Sequence, residues 1–335
     1  MKLAVIGYGY WGPNLVRNFT AVGQTVKYIV DSSPSQMEKA KKTYPSAIVT
    51  SDVDAAINDP EIEAVAIALP VRFHYEISKK ALLAGKHVMV EKPMTASGRE
   101  ADELIELATS KNLILMPDHT FLYTGAVRKI KSLIESGELG DILYFDSVRV
   151  NLGLFQSDVN VLWDLAPHDI SILSYIFGEK PLSVSATGKS HGVGSIENIA
   201  YMTMHYESDF IAHATASWVS PVKLRTVLIG GSKKMILYDD NEPTEKIKVY
   251  DSGFEFKDFE EQAKVRVDYR VGDIYIPKLE MTEALALMAK DFVEAVESGG
   301  AHIPVSDMHL GALVVKTLEA AERSIKQNGA EVNLS

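Results

Sequence analysis

An α/β chain of two domains is expected from these 335 residues: a doubly wound parallel sheet first, then an α+β domain on a large, mainly antiparallel sheet. Three observations carry that expectation. Short runs of Val, Ile and Leu alternate with helical patterns over the first third of the chain. A glycine-rich turn joins the first such run to the first helical pattern. Beyond residue 143 the runs lengthen, alternate polar with apolar, and follow one another as antiparallel strands do.

The elements follow in order. "KLAVI" (2–6), "TVKYIV" (25–30), "AVAIAL" (64–69), "HVMVE" (87–91) and "LILMP" (113–117) have the shortness and apolarity of buried parallel strands. Helical patterns at 14–22, 34–43, 73–84 and 97–110 separate them, and right-handed crossovers are expected. The rear sheet reads from "ILYFDSVRVNL", "AYMTMHYES", "FIAHATASWV", "RTVLIGG", "KMILYDD" and "KIKVYDS". Two amphipathic helices, 281–297 and 308–327, close the chain, the first stopped by "SGG". The boundary is placed so that residues 1–118 form the first domain and 119–335 the second, with the last helices free to pack back on the first. No internal repeat is visible.

Composition narrows the function classes. With 46% hydrophobic and 24% charged residues the chain has the balance of a soluble globular protein. A net charge of -11 without a basic stripe argues against nucleic acid and anionic membrane as partners. The absence of cysteine excludes disulfides, thiolate metal sites and thiol nucleophiles, and suits a reducing cytoplasm. The chain opens on a strand rather than a leader segment, and no apolar run is long enough for a bilayer. No H-x-x-x-H or carboxylate cluster with ligand spacing appears, so no metal is expected.

"GYGYWG" (7–12) is G-x-G-x-x-G between a strand and a helix, the setting in which it binds a dinucleotide. Gly7 permits the tight turn, Gly9 lets backbone approach a pyrophosphate, and Gly12 lets helix and strand pack closely. Tyr10 and Trp11 complete the loop, and Pro13 suits the first helical turn. Asp31, ending the second strand, has the spacing of the acid that accepts a ribose diol and repels a 2′-phosphate; NAD is therefore expected rather than NADP, with Ser32 beside it. Leu69, Pro70 and His74 in "ALPVRFH" follow the next strand on the crevice edge, as do Glu91 and Lys92 in "EKP". His74 reads equally as a cofactor neighbour or a helix-start histidine, and Lys92 as a site lysine or a surface one.

"WDLAPHDISIL" (163–173) sets Asp164 and His168 four residues apart around Pro167. If a helix starts at Leu165, Asp164 is its N-cap and the proline falls harmlessly in the first turn. Acid and imidazole then share one helical face, where a histidine can exchange a proton near neutral pH. A plain cap and a packed histidine would look the same.

Taken together, "GYGYWG", "EKP" and D-x-x-x-H in this order resemble the glucose-fructose oxidoreductase, inositol dehydrogenase and MocA family over essentially the whole chain. The resemblance implies a Rossmann front domain and hydride exchange between nicotinamide and a sugar or cyclitol carbon. The family's catalytic lysine, acid and histidine match Lys92, Asp164 and His168. "GYGYWGPNLVRNF", "DHTFLY" (118–123) and the stretch 151–173 resemble the branch acting on nucleotide-activated amino sugars, including UDP-N-acetylglucosamine 3-dehydrogenases. That implies a small-molecule nucleotide sugar as partner and a keto product open to an aminotransferase. His119, Arg149, Asn151 and Asn160 would then be substrate-side groups, Trp163 would pack on nicotinamide, and Tyr275 would reach the pocket. The rival readings are a non-catalytic dinucleotide-binding regulator, an NAD-using glycoside hydrolase, and a dehydrogenase of a free cyclitol, a hexose or UDP-N-acetylglucosaminuronate. Apolar residues on both alternations of the rear strands, Tyr201, Met204, Phe210 and Trp218, predict a homodimer or homotetramer built through that sheet.

Overall fold

The computed structural model describes residues 1–153, 155–156, 158–192, 196–256 and 267–334, without the side chains of 254–256 and 267–271. Two compact units emerge, Met1–Thr124 with Thr282–Lys316, and Gly125–Met281 with Thr317–Ser335. They are drawn differently from the sequence boundary: the first runs six residues beyond 118 and takes in a late segment as well.

The first unit alternates strand and helix: β1 (Lys2–Ile6), α1 (Gly12–Ala21), β2 (Thr25–Val30), α2 (Pro34–Thr43), β3 (Ile48–Thr50), α3 (Val53–Ile57), β4 (Ala64–Ile67), α4 (His74–Leu83), β5 (His87–Glu91), α5 (Gly98–Ser110) and β6 (Leu115–Asp118). The six strands form one parallel sheet in the order β3-β2-β1-β4-β5-β6. The order reverses beside β1, and it is at such a reversal that an open sheet leaves a crevice above its carboxyl edge. Leu3, Ala4, Val5, Val65 and Val88 are wholly buried, as runs covered on both faces must be. β3 and α3 have no counterpart in the sequence reading; three and five residues are too short to show a period.

The late segment of this unit holds α8 (Ala284–Glu297) and the start of α9 (Met308–Lys326). Phe19 of α1 meets Phe292 of α8 edge to face, ring centroids 6.0 Å apart. Asp291 anchors the turn after α8: it accepts from the Tyr123 hydroxyl at 2.6 Å and the Val305 amide at 2.8 Å, and pairs with His302 at 2.5 Å.

The second unit contains α6 (Gly125–Glu135), β7 (Ile142–Leu152), α7 (Val161–Phe177), β8 (Ser183–Lys189), β9 (Ile199–His205), β10 (Ile211–Ser217), β11 (Val219–Gly231), β12 (Met235–Asp239), β13 (Ile247–Phe256), β14 (Val267–Tyr275) and β15 (Val332–Asn333). Among the described residues they make a nine-stranded sheet, β14-β13-β12-β11-β7-β10-β9-β8-β15. It is mainly antiparallel, with β7 and β10 paired in parallel. One face is covered by α7, and the buried Arg149 of β7 pairs through both Nε and Nη2 with Asp169 of α7, at 3.0 and 3.1 Å. The other face carries the exposed Tyr201, Ile211 and Leu228. Of the four residues read on both alternations of these strands, Tyr201 is exposed, and Met204, Phe210 and Trp218 are buried. Strand alternation explains the difference: Ala200, Met202 and Met204 point inward along β9, and Tyr201 points out.

Candidate functional site

The glycine loop is built as its spacing predicts. Gly7 has φ +97°, and a Cβ there would lie 2.2 Å from the Ala68 carbonyl oxygen. A Cβ on Gly12 would lie 2.0 Å from the oxygen of Gly7, so helix and turn pack with no room for a methyl group. A Cβ on Gly9 would meet nothing within 4 Å, which leaves backbone at that point open to an approaching group. The first turn of α1 has Pro13, no side-chain cap and no acid, so no carboxylate neutralises its positive dipole end, while the Asn14 and Leu15 amides turn back to the Trp11 carbonyl at 2.9 and 3.3 Å. These features fit a dinucleotide pyrophosphate.

Asp31 follows β2 and accepts two backbone amides, Tyr8 N on Oδ2 and Ser33 N on Oδ1, both at 2.7 Å. It therefore braces the glycine loop, and each oxygen keeps a lone pair for a ribose hydroxyl. Trp11 donates its indole N–H to Asp118 at 2.8 Å, tying the loop to β6. Tyr10 is exposed. Ser32, next to Asp31, follows β2 at the same edge.

Lys92 stands one residue beyond β5 at the carboxyl edge of the parallel sheet, ahead of a cis peptide to Pro93. Its backbone N–H donates to Glu91 Oε2 at 3.2 Å. Glu91 and Asp118 are register partners on β5 and β6. Burial, with the Asp118 carboxylate alongside, raises the Glu91 carboxyl well above its ordinary range. His119 is completely buried, and neither ring nitrogen has a hydrogen-bond partner among the described residues. Burial and then the Lys92 charge push its pKa down to about 3, keeping it a neutral donor-acceptor. His74 is buried as well, with both ring nitrogens against backbone carbonyls: Nδ1 is 2.8 Å from Pro93 O and Nε2 2.7 Å from Leu69 O. Leu69 and Pro70 form the turn after β4.

In the second unit, Asp164 and His168 lie one turn apart on α7, as their spacing predicts. The helix starts earlier than expected, however. Asn160 is the N-cap, its Oδ1 accepting from the amides of Leu162 at 3.1 Å and Trp163 at 3.2 Å. Asp164 is thus within the first turn and not a cap, and Pro167 lies inside the helix. Val161, Leu162 and Trp163 are buried, and burying them extends the helix past the proline's favoured place. Asp164 Oδ2 accepts the indole N–H of Trp218 at 2.9 Å.

The remaining candidates are engaged differently. Trp163 is buried and donates its indole N–H to Glu322 at 3.1 Å. Arg149 is in the ion pair with Asp169. Tyr275 donates to Glu138 at 2.8 Å; burial and that carboxylate push its hydroxyl up to about 12. Asn151 Oδ1 is a buried acceptor without a partner among the described residues. Leu154 and Ser157 of the stretch 151–173 lie outside the described residues. Trp218 was missed as the partner of Asp164, because an indole at the bend between β10 and β11 gives no sequence sign of where its N–H points.

Two family models match the chain. Residues 1–119 match the oxidoreductase family with NAD-binding Rossmann fold, and residues 127–237 match the GFO/IDH/MocA C-terminal domain. Together they cover more than half of it. The chain belongs to the GFO/IDH/MocA oxidoreductase family. Within the family it is 28% identical, over 267 residues, to the scyllo-inositol 2-dehydrogenase (NADP(+)) IolW of Bacillus subtilis, 76% of this chain and 68% of that protein. A solved levoglucosan dehydrogenase in complex with NADH shares the fold at TM-score 0.84 and 21% identity, over 100% of this chain and 99% of that one. The UDP-N-acetylglucosamine 3-dehydrogenase GnnA of Acidithiobacillus ferrooxidans does so at TM-score 0.78 and 22% identity, over 98% of each chain. The chain spans 43% and 30% of the length of two Schizosaccharomyces pombe oxidoreductases to which it is 38% and 45% identical. No helix among the described residues is long and apolar enough to cross a membrane. Although no metal was expected, one ligand atom each of Asp291, Glu294 and His302 lies within 4.8 Å of the others. Within that group Asp291 and His302 are joined by the hydrogen bond described above, and Glu294 pairs with Lys290 at 3.4 Å.

Proposed function

We propose that this chain is an NAD-dependent oxidoreductase that converts a sugar hydroxyl to a ketone, acting at C3 of a UDP-N-acetylhexosamine. The observation that carries the reading is the position of Lys92 on the same carboxyl edge of the parallel sheet as the glycine loop. When bound, NAD supplies the acceptor for the hydride. Lys92 donates a hydrogen bond to the reacting hydroxyl oxygen and stabilises the negative charge that grows on it. His168 takes the hydroxyl proton, and Asp164, fixed by Trp218, holds the imidazole in orientation. His119 and Asn151 keep buried polar atoms for the substrate. The carboxylate of Asp31 favours NAD over NADP.

The nucleotide sugar rests on the resemblance of residues 118–123 and 151–173 to that branch. The likeness to IolW favours a second reading, a free cyclitol as substrate. A panel of UDP-N-acetylhexosamines, free hexoses and inositols, each with NAD and with NADP, separates the two. Expected are reduced NAD and a 3-keto UDP-sugar by mass spectrometry, drawn forward by an aminotransferase. Reduction with inositol alone moves the assignment to the cyclitol. Release of free sugar without net reduction would make the chain a hydrolase, and no turnover of any kind a regulator. Lys92→Met and His168→Asn each abolish product and leave NAD affinity within about threefold. The exposed face bearing Tyr201 and Leu228 joins a second copy, so sedimentation is expected to give a dimer or tetramer.

A further inference from the structure

The histidine that opens α4 is used in a way its sequence position does not suggest. The ring of His74 is 1% exposed and spans two separate loops of the parallel sheet's carboxyl edge. Nε2 meets the carbonyl of Leu69, in the turn after β4, and Nδ1 meets the carbonyl of Pro93, directly after Lys92. A carbonyl oxygen only accepts, so the neutral ring gives its single N–H to one of the two carbonyls at a time and holds the other in close contact. Burial, followed by the nearby Lys92 charge, lowers the imidazole's pKa, while the two carbonyls oppose that shift. The ring therefore has no spare nitrogen for a cofactor or substrate. Sealed from water, it is a fixed strut between a turn on the dinucleotide side and the loop that carries the lysine.

We propose that His74 is a positioning residue that sets the spacing between the Leu69–Pro70 turn and the Lys92–Pro93 loop, and so places the lysine ammonium relative to bound NAD. The inference rests on the reading of Lys92 as the group that meets the substrate hydroxyl. Its two halves separate by chemistry. An Asn amide nitrogen stands near the place of Nδ1 and keeps the bond to Pro93. A Gln amide nitrogen stands near the place of Nε2 and keeps the bond to Leu69. Leu fills the volume and keeps neither.

The test measures NAD dissociation constants by calorimetry, kcat with the substrate found in the panel, and urea stability, for His74→Asn, His74→Gln and His74→Leu. Expected is a division: His74→Asn retains kcat within about threefold and loses roughly tenfold in NAD affinity. His74→Gln retains NAD affinity and loses roughly ten- to hundredfold in kcat, the scale of a displaced catalytic group. His74→Leu loses both. If His74→Leu does not fold, the Asn and Gln variants decide by themselves. All folded variants losing stability alone, with kcat and NAD affinity unchanged, would overturn the proposal, as would equal losses in the Asn and Gln variants. Full activity in Lys92→Met sinks the functional reading instead, and an inactive Lys92→Met beside unaltered His74 variants sinks only this inference.

Discussion

Replacing the three loop glycines one at a time by alanine separates what each contributes. Contacts between a real Cβ and a neighbouring heavy atom lie at about 3.4–4 Å, whereas the added methyl of Gly12→Ala would start 2.0 Å from the Gly7 oxygen. The helix must retreat from the turn by more than an ångström, and both sides of the contact are backbone. Overpacking of this kind costs about 1–3 kcal/mol, so Tm falls by roughly 2–4 °C for each kcal/mol in a unit of this size. Gly7→Ala adds a disfavoured φ of +97° to a contact of 2.2 Å and is expected to cost at least as much. Gly9→Ala meets no protein atom and is expected to leave Tm unchanged or to raise it through the unfolded chain by about 0.4–1 kcal/mol. Its loss falls on binding, because the methyl takes the space through which the pyrophosphate approaches, and NAD affinity drops by roughly tenfold or more. Calorimetric unfolding and NAD titration of the three variants read the two quantities separately. Gly9→Ala binding NAD like the wild type would refute the placing of the pyrophosphate.

Three further outcomes follow from the geometry. Asp169→Asn sets an amide against the buried Arg149 guanidinium and removes the carboxylate charge that pairs with it through two hydrogen bonds, at a cost of about 3–5 kcal/mol in urea unfolding; a loss under 1 kcal/mol would contradict this. Glu91 titrates above its ordinary value when folded, so its stabilising contribution is full below the unfolded carboxyl value of about 4.3 and is lost as pH rises through the folded one. Glu91→Gln keeps a neutral side chain, so its stability relative to wild type should climb as pH rises above about 5, and a pH-independent difference would show that Glu91 is ionised. Trp218→Phe removes the donor to Asp164 and is expected to lower kcat by about tenfold with NAD affinity unchanged; an unaltered kcat means that Asp164 needs no such support.

The parts readable in the sequence were those whose chemistry is local. The glycine loop, Asp31 and the D-x-x-x-H pair each declare themselves within a few residues: the loop packs too closely at Gly7 and Gly12 for a methyl group, Asp31 follows β2 and accepts the Tyr8 amide, and Asp164 and His168 lie one turn apart on α7. The start of α7 misled because Asn160 and Asp164 are both good caps. Pro167 favoured the later one, and the buried Val161–Trp163 run settled on the earlier. The parallel pairing of β7 with β10 was hidden because α7, β8 and β9 intervene. The strut at His74 was illegible for another reason: its partners are backbone carbonyls, which every residue has.

The most direct test is the fate of one hydrogen. NAD is incubated with the protein and a UDP-N-acetylhexosamine carrying deuterium on C3, and the reduced cofactor is weighed by mass spectrometry. The account predicts NADH heavier by one deuterium and a ketone at C3. NADH without the label, or a labelled sugar recovered unchanged beside unreduced NAD, would contradict it.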